Sequence, residues 1–222
     1  MTHKAPSKQY KNRAPLAWLA VSLVAMQLVA CAPLLVGGAM VGGAMVAVDR
    51  RTTGAQVEDA TIESKASSRI RELMGDRAHV SVTSYNRTVL LTGEAPTEAD
   101  RTAVEQAVQR IENVRSTVNE IAVMAPTSMS TRSNDSFLTG KVKATFVDAK
   151  DLQANAFKVV TERGTVYLMG RVTEREATRA TDLARTVSGV QKVVRVFEIV
   201  TEAELAEAQP KSDSTPKTGP KK

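Results

Sequence analysis

The sequence predicts an α+β protein built from two tandem αββαβ units, each a three-stranded mixed sheet packed on two helices. Three observations predict it. Thr88-Val89-Leu90-Leu91-Thr92-Gly93 returns as Thr165-Val166-Tyr167-Leu168-Met169-Gly170, with the threonine, the valine, the second leucine and the glycine displaced by 77 positions. The flanks return as well: Val80 and Val82 match Phe157 and Val159 at 77, while Val114, Val118, Ile121 and Val123 match Val190, Val194, Phe197 and Ile199 at 76. Within each copy, apolar residues alternate where strands are expected and recur every three to four residues where helices are expected.

At 222 residues the chain is long enough for two small domains, and a unit of roughly 70 residues can just close its own core. Aromatic residues are only 4%, so burial has to come from Val, Ile, Leu and Ala. The net charge of +6 resembles a nucleic-acid signal until it is divided along the chain. Lys4, Lys8, Lys11 and Arg13 open the sequence and a Lys-rich tail closes it, which leaves the middle slightly acidic, so nucleic acid is not an expected partner. The first unit carries 8 basic against 11 acidic residues from Gln56 to Ala125; the second carries 11 against 8 from Ser133 to Val200.

From Ala14 to Val48 no charged residue occurs. A basic start followed by an apolar run is the layout of a bacterial export signal, here residues 1–30. The run ends at Leu28-Val29-Ala30-Cys31, which resembles the lipobox of bacterial lipoproteins and holds the only cysteine of the chain. That resemblance implies a diacylglycerol and an N-acyl chain on Cys31, with no other cofactor. Ala32, in place of an aspartate, implies an outer-membrane destination. The competing reading is an uncleaved membrane helix, for which the uncharged run is long enough. Residues 31–55 form an apolar, Gly-rich collar and linker whose tandem GGAMV weakens a helix by about 1 kcal/mol per glycine. A helix dimerising through small residues is the alternative there.

The first unit spans residues 56–125. Ile62, Ala66, Ile70 and Leu73, following Asp59, lie on one face of a helix that Gly75 ends. His79 to Thr83 alternates as a strand, Tyr85-Asn86-Arg87 turns, and Thr88 to Gly93 is the second strand. Pro96-Thr97 opens a helix with the stripe Ala103, Val104, Ala107, Val108 and Ile111, and Val114 to Val123 is the last strand. A linker, 126–132, leads to the second unit, 133–201. Ser133-Asn134-Asp135 supplies capping side chains, and Leu138, Val142 and Phe146 fall on Ile62, Ala66 and Ile70 at 76. Thr173 and Glu176 have the spacing of a capping box before the stripe Ala177, Ala180, Ala184 and Val187. Gly189-Val190 enters the final strand. Residues 202–222 are expected to be a disordered basic tail, with a short helix over Glu202 to Glu207 as an option.

Element order, the Val-x-Leu-x-Gly strand, and the segments Asp49-Arg50-Arg51-Thr52-Thr53-Gly54-Ala55-Gln56-Val57, Ser133-Asn134-Asp135 and Val172-Thr173-Glu174-Arg175-Glu176-Ala177 together resemble the BON domain (bacterial OsmY and nodulation) in tandem. With the lipobox, the whole chain resembles the dual-BON outer-membrane lipoproteins associated with envelope integrity and cell division. One departure is Asn86-Arg87, at a turn where the family and Gly164 of the second unit offer glycine; Asn tolerates positive φ.

Registration of the units exposes one asymmetry: Phe137 falls on Thr61. Lys141 lies one turn from Phe137, with Lys143 near in sequence. An apolar wedge with cations on a basic domain suits an anionic bilayer surface; the alternative is that Phe137 packs against the first unit or the linker. The resemblance implies anionic phospholipid binding through the first helix of the second BON domain. On that transfer Phe137, Lys141 and Lys143 are the lipid-binding candidates, with Asn134 and Leu138 as neighbours, although the spacing of Leu138 is that of a core residue. His79 has no Cys or His partner to complete a metal set, and no P-loop, GxSxG or dinucleotide fingerprint occurs, so catalysis is not expected. Two further readings remain beside lipid binding: an adaptor for outer-membrane assembly or cell-wall remodelling proteins, and a passive periplasmic stress protein.

Overall fold

The structure, a computed structural model, describes residues 49–208. Thr52 opens helix α1, Thr53–Met74, by accepting the Ala55 N–H, and Gly75, at φ 54, closes it with its own N–H on the Arg71 carbonyl. This start lies six residues before Asp59, inside what the sequence assigns to the collar. The buried face is Asp59, Ile62, Ala66, Ile70 and Met74. Leu73, expected on that stripe, is instead exposed.

Strand β1, His79–Tyr85, pairs antiparallel with β2, Thr88–Ala95, and Tyr85 stands opposite Thr88. The two-residue turn puts both Asn86 and Arg87 at positive φ, the geometry that suits a tight hairpin. Arg87 tolerates it because Asp59 reaches under the turn and accepts the N–H of both turn residues at 2.8 Å. Gly93 is obligatory for space, since a Cβ there would fall onto the His79 carbonyl oxygen. Thr97 caps α2, Glu98–Gln109, which buries Val104 and Val108. The single last strand expected from Val114 to Val123 is broken into β3, Ser116–Asn119, and β4, Ala122–Val123, both parallel to β2. At the break Asn119 Oδ1 accepts the Ile121 N–H, a local side-chain bond competing with regular strand structure, and Ile121 enters the core.

The second unit starts earlier than its sequence suggests. Helix α3 spans Met129–Asp148 and is capped by Ser128, which accepts the Thr131 N–H. Ser133, Asn134 and Asp135 therefore lie inside the helix, and Ser133 donates back to the Met129 carbonyl. Four residues given to the 126–132 linker, Met129 to Arg132, are therefore helical, because Ser128 is as good a cap as Ser133. Asp135 turns inward and accepts the N–H of Arg163 and Gly164, the counterparts of Asn86 and Arg87. Strands β5, Phe157–Glu162, and β6, Thr165–Val172, form the antiparallel pair; β7, Lys192–Ile199, runs parallel to β6 without a break. Between them α4, Glu174–Thr186, opens with the expected capping box of Thr173 and Glu176. A short α5, Glu202–Ala208, follows, so the start of the assigned tail is helical.

Strand alternation creates three cores. Val89 and Leu91 point towards α1 and α2 in one cluster, and Val166 and Leu168 towards α3 and α4 in another, where Phe146 and Phe157 meet edge to face at 5.2 Å. The odd-phase residues between them, Leu90, Tyr167 and Met169, meet each other with Tyr85 in a third cluster, so the faces of the two sheets left bare by their helices cover one another. The result is four layers with the helices outermost on both sides. Burying Leu90 alone is worth about 1.5–3 kcal/mol.

Ion pairs rim this seam: Lys158 with Glu63 at 2.7 Å, Arg163 with the fully buried Glu94 at 3.1 Å, and Arg115 with Glu198 at 3.2 Å. The Asp49-Arg50-Arg51 segment works in both directions. Arg50 makes a two-pronged pair with Glu176, in the capping box of the second domain, and its hydrogen bonds hold that carboxyl below its usual pKa. Arg51 binds Asp49 and Asp59 and lies 4.3 Å over the Tyr85 ring in the first domain.

Candidate functional site

The outer face of α3 is set by its inner one. Leu138, Val142 and Phe146, at i, i+4 and i+8, are buried against the second sheet, so the residue preceding Leu138 is turned about 100° away. Phe137 is 68% exposed. Its ring packs against neither the first domain nor the linker; the Lys141 ammonium sits 5.8 Å from the ring centroid, within cation–π range, and also donates to the Ser188 carbonyl in the turn after α4.

Two further apolar residues share this face and were not singled out from sequence. Met129 and Val147 are 72% and 70% exposed, and they stand five helical turns apart, in line with each other. Phe137 lies between them along the axis but about 80° round the helix, so the three mark the two edges of one outward apolar band roughly 27 Å long. Gly140 and Ala144 lie between the three, and Gly140 has open space where a Cβ would stand. The signal that finds Met129 is Ser128 as the cap, which extends the amphipathic pattern backwards by more than one turn.

The lysines bracket the row. Lys141 lies along one border, and Lys143, exposed, lies about 120° round the helix from Phe137, along the border next to Val147. Proximity in sequence suggested that Lys143 neighbours Phe137; the helix places it across the row. Asn134 is exposed beyond Lys141. Leu138 is only 3% exposed and belongs to the core of the second domain, so it is not a surface contact.

The matching face of α1 is polar. At a displacement of 76, Met129, Phe137 and Val147 correspond to Thr53, Thr61 and Arg71, all exposed, and Thr61 donates to the Val57 carbonyl. Val57, 62% exposed, is an isolated apolar residue there.

His79 is half-buried, with Nδ1 3.5 Å from Glu94 Oε2. It borders a cavity of about 350 Å³ between the domains, with Arg132, Asp135 and Glu162 on its other walls. Burial, together with the carboxylates of Glu94 and Asp135, pushes the Glu162 carboxyl up to about 7 against the pull of Arg163 and Arg132. Among the described residues no group of three or more His, Cys, Asp or Glu could hold a metal ion, and no helix is long and apolar enough to cross a membrane. Cys31, the leader, most of the collar and the tail from residue 209 lie outside the described residues.

The chain is 38% identical over 154 residues to the outer membrane lipoprotein DolP of Haemophilus influenzae, covering 68% of this chain and 79% of that protein. It is 32% identical over 155 residues to a 21 kDa hemolysin of Actinobacillus pleuropneumoniae, covering 69% and 80%. The family model of the BON domain matches residues 58–125 and again 134–201, one match on each side of the seam. The internal repeat, the paired αββαβ sheets and these two matches make the chain a member of the BON-domain family, with two BON domains in tandem.

Proposed function

We propose that the protein is a lipoprotein held on the periplasmic face of the outer membrane by acyl chains on Cys31, that it binds anionic phospholipid through the outer face of α3, and that it supports envelope integrity at the division site. The likeness to a protein named as an outer membrane lipoprotein supports the location. The lipid reading rests above all on Phe137, an aromatic ring 68% exposed beside an ammonium group. Such a ring gains about 1.5–3 kcal/mol by leaving water, and each lysine at an anionic surface adds about 1 kcal/mol. The acyl chains supply attachment; α3 supplies preference for a charged bilayer and an orientation on it. The role is one of binding and asks for no catalytic step.

Co-sedimentation of the unacylated chain from Ala32 onward tests this with vesicles of phosphatidylcholine alone or with added phosphatidylglycerol. Binding to the anionic vesicles only, weakened by salt and reduced tenfold or more by Phe137→Glu, is the expected result. Equal binding to both vesicles, or an unchanged Phe137→Glu variant, would remove the lipid reading. Cys31→Ala separately tests the anchor: the protein should leave the membrane fraction, and persistence as an integral protein would favour the uncleaved helix.

A further inference from the structure

The first domain carries its own distinct surface feature, a groove of about 520 Å³ between α1 and α2. One wall is Lys65, Arg69 and Leu73, at i, i+4 and i+8 on α1; the floor and far wall are Ala103, Ala107, Arg110 and Ile111 on α2. Leu73 is 42% exposed at its end, an apolar side chain turned to the groove instead of the core. The cations are held loosely. Lys65 is 3.8 Å from Glu112, and Arg69 meets Glu72 with both partners mostly exposed, so these pairs contribute little and exchange readily. Arg110 has no ion pair among the described residues.

The second domain shows what closes such a groove. At the displacement of 76, Ala103 and Ala107 correspond to Arg179 and Leu183; Arg179 pairs with Asp151 at 2.8 Å and Leu183 packs against the core of its domain. Arg69 and Arg110 correspond to Thr145 and Thr186, and Gln106 to Asp182. Only the first domain thus combines an open alanine floor with a cationic rim, even though its overall charge is the more acidic.

We propose that this groove docks an acidic amphipathic helix of a partner protein, its apolar ridge on Ala103, Ala107 and Leu73 and its carboxylates, spaced one turn apart, on Lys65, Arg69 and Arg110. An open valley between two packed helices suits an elongated ridge, the helix-in-groove mode, and the charge of its rim selects acidic occupants. The groove lies on the outermost layer opposite α3, so a bilayer under α3 leaves it facing the periplasm. The protein would then hold a partner and a membrane at once, on opposite sides.

The test uses the full mature lipoprotein in zwitterionic nanodiscs and a labelled synthetic helical peptide with a Leu/Ala ridge flanked by Glu at i, i+4 spacing. Saturable micromolar binding is expected, at least tenfold weaker for the peptide with Lys in place of Glu. Ala107→Leu, which installs the second-domain residue, should weaken binding tenfold or more, as should the double change Arg69→Thr and Arg110→Thr; Phe137→Glu should leave it unchanged. An unaltered thermal transition in each variant shows that the fold is kept. No saturable binding, equal binding of the Lys peptide, or full binding by both groove variants would overturn the proposal. Loss of anionic-vesicle binding in Ala107→Leu would overturn it too, by assigning the groove to lipid.

Discussion

Helices α1 and α3 are the same element at two places in the chain, and their two faces have diverged unequally. Inward, Ile62, Ala66 and Ile70 stand where Leu138, Val142 and Phe146 stand, apolar for apolar, and an aspartate precedes each stripe to hold the hairpin turn. Outward, Thr53, Thr61 and Arg71 face Met129, Phe137 and Val147. Inner positions are constrained by packing density, whereas exchanges on an exposed face change stability by only about 0.5 kcal/mol. One scaffold can therefore carry two different surfaces, and the outer faces are where the domains acquire separate roles.

The largest expected effect tests the shared inner device. Asp59 accepts four hydrogen bonds, from Ser84, Asn86, Arg87 and Arg51, where Asp135 accepts two. Burial raises its pKa, but these bonds outweigh burial and hold the Asp59 carboxyl below its usual range. Asp59→Ala strands a buried guanidinium contact and several donors, and should cost about 3–5 kcal/mol in urea denaturation. Asp135→Ala should cost less, about 2 kcal/mol. Equal losses would show that the turn bonds alone matter and that Arg51 adds nothing.

Exchanging the outer residues comes next. Phe137→Thr should lower affinity for anionic vesicles by about 1.5–3 kcal/mol, close to the full transfer value of the ring. Thr61→Phe in that background should restore none of it, since Thr53 and Arg71 provide no row for a second ring to join. Recovery by Thr61→Phe would mean that any exposed ring suffices and that the placement of Met129 and Val147 is incidental.

The sequence carried the repeat and the inner stripes apart from Leu73, because helix and strand periods fix which residues share a face, but it left open whether Phe137 meets solvent or the first domain. It was silent on the seam. Leu90, Tyr167 and Met169 announce a second apolar strand face, yet nothing local says that each sheet covers the other. Arg50 and Glu176 likewise meet across 126 positions, and their pairing is invisible until the domains are folded. Helix starts were misplaced for a local reason: Thr52 and Ser128 cap as well as the later polar residues do, and the longer helix prevails by adding hydrogen bonds. That misplacement hid Met129, and with it the extent of the outer row.

A proton-linked difference between the domains is smaller again. The strand end occupied by Tyr85 in the first domain holds Glu162 in the second, a displacement of 77. The folded-state pKa of Glu162 is raised to about 7 from an unfolded value of 4.5, so the fold binds the proton more tightly than the unfolded chain does. Its stabilising contribution is complete below pH 4.5 and is lost as pH rises through 7. Glu162→Gln should therefore flatten the stability profile between pH 5 and 8 and raise stability at pH 8, on the order of 1 kcal/mol. A profile unchanged by the substitution would show that Glu162 does not govern it.

The smallest effects discriminate most sharply between two geometries of the outer face. If membrane contact were centred on Phe137 alone, Lys141, which shares its side of the helix, would contribute and Lys143, about 120° away, would point along the bilayer and add little. If the whole row from Met129 to Val147 lies in the headgroup layer, the two lysines flank it symmetrically and each interacts with lipid phosphates. Lys141→Ala and Lys143→Ala should then each weaken anionic-vesicle binding by about 1 kcal/mol, with a shallower salt dependence in both. A Lys141 effect without a Lys143 effect would reduce the row to its single ring. The two substitutions need no structural rescue, because Lys143 makes no hydrogen bond among the described residues and Lys141 gives up only its surface contacts with the Ser188 carbonyl and the Phe137 ring.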